Sequence, residues 1–212
     1  MTFSELKRLW RIEMLGGEQR HFSWTRLFRR YRQRARYRYM FWFRLAQFLH
    51  SSPRRFWQKR AERMGDRLAE RFGIEIPVTI PVGEGLYIPH LVGIVITRKA
   101  VIGKNFSIFQ NTTIGQKSDR SRTIVIGDNV SIGANVCIIG DGLRIGDNVT
   151  IGASAFVNRD IPANHAYISR HTHSLIEQRH GQSPISTMHT RNTRDEEAQP
   201  QDGSAVEARC SA

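Results

Sequence analysis

His90 is the only histidine between His50 and His165. Imidazole exchanges a proton near neutral pH, so a well-placed histidine can take the proton of an attacking hydroxyl. Residue type alone does not settle its role, because a single histidine is more often structural than catalytic. Its place in the chain must decide. Cys137 and Cys210, the two cysteines, lie far apart and make no disulfide framework. That pattern fits a reducing cytoplasm.

The position of His90 is set by a repeat. From Ile102 the chain reads in sixes: Ile-Gly-Lys-Asn-Phe-Ser, Ile108-Phe-Gln-Asn-Thr-Thr, Ile114-Gly-Gln-Lys-Ser-Asp. The phase returns at Ile126, Ile132 and Ile138, and again at Ile145, Ile151 and Val157. A second small or apolar residue follows four places after each opening position, as at Phe106, Thr112, Val130, Val136, Val149, Ala155 and Ile161. A fixed short period marks a solenoid. Each hexad is one short strand and one corner. Three hexads close a coil, and stacked coils pair their backbones. Glycine beside the opening aliphatic is expected to supply the corner conformation.

The phase slips in three places. Ile88 to Ile96 is eight residues rather than six, and His90 lies in that slip, where a side chain need not follow the buried register. Arg120 replaces an aliphatic at an opening position, so residues 116–123 read as a polar loop leaving the prism. Ile138 to Ile145 is seven, with Gly140 and Gly142 allowing a corner bulge.

These residues resemble the hexapeptide-repeat acyltransferases, whose fold is a left-handed parallel β-helix. Within that family, Gly85-Leu-Tyr-Ile-Pro-His90-Leu-Val-Gly-Ile-Val-Ile96 and Ile108-Phe-Gln-Asn-Thr-Thr-Ile-Gly115 are similar to serine O-acetyltransferases. They are still more similar to the shorter relatives that acetylate sugars in surface-polysaccharide synthesis. The resemblance covers roughly residues 70–162, somewhat under half of the chain. It implies acetyl-CoA as cosubstrate, no bound metal or permanent cofactor, and a homotrimer with sites between prisms. It also implies His90 as general base, oriented by Glu75 where the family has an aspartate. Small side chains at Gly115, Ala134 and Ala153 would leave room for the pantetheine arm, and Lys117 or Arg170 would meet the phosphates.

The departures from the family point away from serine. The family loop Asp-Arg-His-Pro-Lys-Ile reads Asp119-Arg120-Ser121-Arg122-Thr123-Ile124 here, so Ser121 replaces a histidine at the carboxylate end of the substrate. Pro89 stands where the family has an aspartate beside the catalytic histidine, and Ala166-Tyr-Ile-Ser169 stands near the missing Gly-Val-Pro-Ala. The expected acceptor is therefore a sugar or oligosaccharide hydroxyl, held by Tyr87, Asn111, Ser121 and Arg120. Serine O-acetylation in cysteine synthesis is the alternative. A non-enzymatic scaffold that binds a membrane or a partner is the alternative of another class. Carbonic anhydrase on the same prism needs several zinc-binding histidines, and residues 96–157 contain none.

The remaining elements frame the prism. Residues 1–75 read as a basic helical region, 76–162 as the β-helix, 163–179 as a closing segment and 180–212 as a disordered tail poor in large apolar residues. Residues 1–35 look polar, with scattered aromatics. A helix is predicted over 31–50, with Tyr37, Met40, Phe41, Phe43, Leu45 and Phe48 at helical spacing and Pro53 ending it. A second is predicted over 54–72, with Gly73 as its stop. The net charge is +13, and arginines 26, 29, 30, 32, 34, 36, 38 and 44 concentrate it in and just before the first of these. The basic stretch reads either as a helical cap with its arginines in solvent or as a contact with the anionic inner membrane. Nucleic acid is the weakest reading, since no recognition motif is present. No apolar secretory segment opens the chain and no run of 18 apolar residues occurs. The expected location is the cytoplasm or the periphery of the inner membrane.

Overall fold

The computed structural model describes residues 1–170. The expected tail at 180–212 and the part of the closing segment after 170 lie outside the described residues.

Four helices precede the prism: α1 (Phe3–Leu15), α2 (Trp24–Gln33), α3 (Ala35–His50) and α4 (Arg55–Phe72). The first was not anticipated. Its start is a capping box, in which Thr2 Oγ1 accepts from the Glu5 amide at 3.2 Å and Glu5 accepts from the Thr2 amide at 2.6 Å. Leu6, Trp10 and Met14 then recur every four residues and are buried. The helix expected over 31–50 is instead broken at Arg34, whose backbone is extended at φ −141° and ψ 143°. The break lets Leu27 of α2 and Tyr37 of α3 reach the same core. Gly73 ends α4 in the left-handed conformation, as expected, at φ 64°.

The parallel β-helix follows, and three columns of strands make its faces. The first face stacks β1 (Ile74–Glu75), β2 (Ile94–Ile96), β5 (Thr113–Gln116), β8 (Cys137–Gly140) and β11 (Phe156–Val157), one per coil. The second stacks β3 (Ala100–Ile102), β6 (Ile124–Ile126) and β9 (Arg144–Ile145), with bridges from Val82 above and Ile161 below. The third stacks β4 (Ser107–Ile108), β7 (Ser131–Ile132), β10 (Thr150–Ile151) and β12 (Ala166–Tyr167). The prism thus runs past Ile161 to Tyr167, through the start of the expected closing segment. Registers align hexad on hexad: Ile96 pairs with Ile114, Ile114 with Ile138, and Ile138 with Val157. Outside the loop that leaves the prism, nearly all inward positions of the hexads are buried, so the core is a column of Ile and Val closed by Phe106 and Ala155.

The corners correct one expectation. The glycine after the opening aliphatic does not carry the left-handed turn. Asn105, Asn129, Asn148 and Asn164 do, at φ 53° to 62°, between the second and third faces. Asn111, Asn135 and Ser154 do so between the third and the first. Asparagine tolerates this region because its short amide can bond locally. Here it bonds to the next coil: Asn105 donates to Asn129, Asn129 to Asn148 and Asn148 to Asn164, at 2.8 to 2.9 Å. The glycine serves close approach instead. A Cβ on Gly127 would lie 2.9 Å from the backbone nitrogen of Asp147.

One buried ion pair joins helices to prism. Arg44, assigned to solvent with its neighbours, is 1% exposed, and Glu13 of α1 is fully buried beside it. The Arg44 guanidinium donates to Glu13 at 2.5 to 3.2 Å, to Gln47 at 2.7 Å, and to the carbonyls of Val82 and Gly83 at 2.9 and 2.6 Å. Glu13 also accepts from the Leu86 amide at 3.1 Å. Every charge is matched, which offsets much of the desolvation cost. Removing one partner leaves the other buried and unpaired, so Glu13→Ala should destabilise the chain by about 3–5 kcal/mol. Urea unfolding of the variant checks this, read as a fall in midpoint at an unchanged slope.

Candidate functional site

The slip that contains His90 is a two-residue insertion at one corner. The left-handed corner residue follows Ile108, Ile132 and Ile151 by three positions, at Asn111, Asn135 and Ser154, but follows Ile88 by five, at Gly93. Only glycine fits there: at φ 64° an added Cβ would lie 2.5 Å from Asn111 Oδ1 below. Leu91 packs back on the core, while His90 and Val92 are exposed. The insertion therefore pushes the corner outward and exposes the imidazole. Among the described residues His90 makes no hydrogen bond or ion pair.

The corner below repeats the position with other side chains. Gln110, Ala134 and Ala153 occupy the hexad place just before Asn111, Asn135 and Ser154. Ala134 and Ala153 thus lie on the His90 edge with nothing beyond a methyl group. Gln110 was not singled out by sequence, although a long polar residue at an otherwise small place was a readable signal. Its Oε1 is buried and has no partner among the described residues. Asn111 is at this corner too, but its amide donates to Asn135 at 3.2 Å as part of the corner ladder.

Tyr87 lies three residues before His90 on the third face, 47% exposed. Its hydroxyl accepts from Arg36 of α3 at 3.4 Å. Arg36 also donates to Tyr37 at 2.8 Å, and Arg30 to the same hydroxyl at 3.1 Å. Burial acts to raise the Tyr37 phenol, but the two guanidiniums outweigh it and leave its pKa lowered. This network fixes the start of α3 against the coil that carries His90.

Several expected residues are elsewhere. Glu75 is on β1 of the first face, exposed, in a cleft of about 480 Å³ with Glu62 and Asp66 of α4 and with Thr97 and Arg98. His90 does not line that cleft, and among the described residues no hydrogen bond joins the two. Gly115 is at the far side of the first face from His90, and the Ile139 side chain of the coil below lies against it: a Cβ there would lie 2.7 Å from Ile139 Cδ1. Arg170 is exposed and follows β12, beneath the His90 edge.

The polar loop at 117–123 leaves the opposite edge of the first face, as expected. Ser121 does not point outward to a substrate. It is 5% exposed, and its hydroxyl accepts from the Ser118 amide at 3.1 Å. Lys99 Nζ donates to the carbonyls of Asp119 and Ser121, pinning the loop from inside. Lys117 and Arg120 remain exposed, and Arg122 lies 3.7 Å from Asp141. The four residues of β5 hold the loop edge about 13 Å from the His90 edge at about 3.3 Å per residue.

No protein-family model matches the chain. It is similar to mitochondrial serine acetyltransferase 3 of Arabidopsis thaliana, with 40% identity over 99 residues, covering 46% of this chain and 25% of that protein. Among solved structures it is similar to the serine acetyltransferase of Neisseria gonorrhoeae in complex with serine. That match has a TM-score of 0.55 and 32% identity, and covers 61% of this chain and 52% of the other. The Brucella abortus serine acetyltransferase in complex with coenzyme A gives 0.56 and 25% identity, over 63% and 53%. The chain spans between a quarter and a half of the length of the curated relatives it matches. These findings overturn the expectation of a sugar acceptor, because the relatives and neighbours are serine acetyltransferases. The argument from Ser121 fails for a physical reason: its side chain turns into the loop, and the loop still presents the cations Lys117, Arg120 and Arg122 outward.

The Ser121 hydroxyl has a structural task, so Ser121→Ala should lower stability by about 1 kcal/mol. A thermal melt beside the parent chain measures the loss.

Proposed function

We propose that the chain is an acetyl-CoA-dependent serine O-acetyltransferase with His90 as general base. The observation that carries this reading is the two-residue insertion that expels His90 from an otherwise closed prism, in a sequence similar to serine acetyltransferases. A ring nitrogen of His90 takes the proton of the serine hydroxyl as the oxygen attacks the thioester carbonyl. The tetrahedral adduct then expels the coenzyme A thiolate, which recovers that proton from the imidazolium. O-acetylserine and free coenzyme A are the products.

Serine brings an ammonium and a carboxylate close to its hydroxyl, and each needs a partner on desolvation. Lys117, Arg120 and Arg122 are the exposed cations of the loop; Arg122 lies near Asp141, and Arg120 is assigned the carboxylate. Ala134 and Ala153 leave the His90 edge low enough for the pantetheine arm, with Arg170 below for its phosphates and Lys117 on the opposite edge.

His90 and Arg120 leave opposite edges of the first face. One chain therefore holds two half-sites, and prisms packed edge to edge about a three-fold axis would bring the His90 edge of one to the loop edge of the next. We assign the protein a homotrimer on this ground, and the cytoplasm as its location, where acetyl-CoA and free serine meet.

His90→Ala should lower kcat by about 10²–10⁴-fold while leaving coenzyme A binding in place. Arg120→Ala should raise the KM for serine with a smaller effect on kcat. Mixing the two variants under exchange of subunits should restore activity, because some interfaces regain both groups. More than about a tenth of kcat in His90→Ala, or no recovery in the mixture, contradicts the assignment.

A further inference from the structure

Four arginines of helix α4 share one side, with Glu70 bordering them seven residues after Arg63. They are Arg60, Arg63, Arg67 and Arg71, which recur at intervals of three and four. With Arg38 of α3 they rim a groove of about 320 Å³. Glu62 and Asp66 lie on another side of the helix, lining the Glu75 cleft. Among the described residues none of the five arginines has a carboxylate within ion-pair distance. The floor of the groove is apolar and aromatic: Tyr31, Trp42, Met64, Leu68 and Phe72.

An aromatic surface runs on from this groove. Trp42 packs edge-on to Phe41 at 5.4 Å between ring centres, Phe41 meets Phe28 at 6.5 Å, and Phe28 stacks on Trp24 at 6.1 Å. Trp24, Phe28 and Trp42 are 42%, 51% and 39% exposed. Phe56 sits four residues before Arg60 on the arginine side of α4 and is 69% exposed.

We propose that this face of α2, α3 and α4 docks on an anionic phospholipid bilayer. The proposal does not rest on the acyl-transfer reading. A groove rimmed by five arginines and lined by no acid selects a negative surface and repels a second copy of itself. Arginine stems lie along apolar surface while their heads reach phosphate, and tryptophan and tyrosine settle at headgroup depth. Basic residues interleaved with Trp and Phe on a helix suit the plane of the interface. Nucleic acid is disfavoured. Base stacking needs open ring faces, whereas Trp24 is packed by Phe22 and Phe28, and Trp42 by Phe41 and the Tyr31 hydroxyl. Among the described residues no helix is long and apolar enough to cross a membrane, so the contact is peripheral.

Co-sedimentation of the full chain with vesicles tests this, using phosphatidylcholine alone and phosphatidylcholine mixed with phosphatidylglycerol. The chain should bind the anionic vesicles, ignore the neutral ones, and weaken as salt rises. Each arginine near an anionic leaflet contributes about five-fold in affinity. The triple variant Arg60→Gln, Arg63→Gln, Arg67→Gln should therefore lose about a hundred-fold. Phe56→Ser should lose several-fold, with circular dichroism unchanged in both. Equal binding to neutral vesicles, or full binding by the triple variant, overturns the proposal. So does tighter binding to an oligonucleotide of equal phosphate content, which would make this a nucleic-acid face.

Discussion

The constraint on which the rest depends is that each coil must lie in register on the next. Backbone amides of one coil donate to carbonyls of the next all along the prism, as from Val95 to Thr112, Thr113 to Val136 and Cys137 to Ala155. Side chains then alternate strictly between core and surface. A closed prism of this kind has few places for a group that must meet a substrate. An interruption of the register adds one that stands clear of the faces. The three interruptions are the corner before Gly93, the loop at 117–123 and the bulge around Gly142. Two of them carry the groups assigned to the reaction, His90 and Arg120, and both flank one face.

The helices are bound to this frame by charge as well as by packing. Arg44 and Glu13 come from different helices and meet over the carbonyls of Val82 and Gly83, at the coil that carries Tyr87 and His90. Arg36 makes a second contact through Tyr37 and Tyr87. The coil with the catalytic candidate is thus the one the helices hold. The remaining arginines divide from these two by burial: Arg44 is internal, while those of the α3–α4 groove face outward without acidic partners.

Much of the fold was legible because a six-residue period admits few structures. The opening aliphatics, the three slips and the Gly73 stop could all be read from spacing. The helix α1 was missed, although Thr2, Glu5 and the Leu6-Trp10-Met14 spacing announce a capped amphipathic helix. Arg44 could not be separated from its neighbours, since Glu13 lies 31 positions upstream and only packing brings the two together. The corner asparagines were visible in each Ile-Gly-x-Asn, but the turn was assigned to the glycine because conformational freedom is the commoner reason for glycine. The candidate site was half legible. The insertion named His90, yet the inward turn of Ser121 within its loop and the approach of Ile139 to Gly115 depend on contacts that spacing does not show. Substrate choice was misjudged on that account, by reading a residue replacement as a lost contact when Arg120 still faces outward.

The central claim is that this prism transfers an acetyl group to serine. The direct measurement is coenzyme A release from acetyl-CoA by the full chain, with and without L-serine. The account predicts serine-dependent release that saturates, with kcat/KM at or above about 10⁴ M⁻¹s⁻¹. Release that does not change when L-serine is added would contradict it.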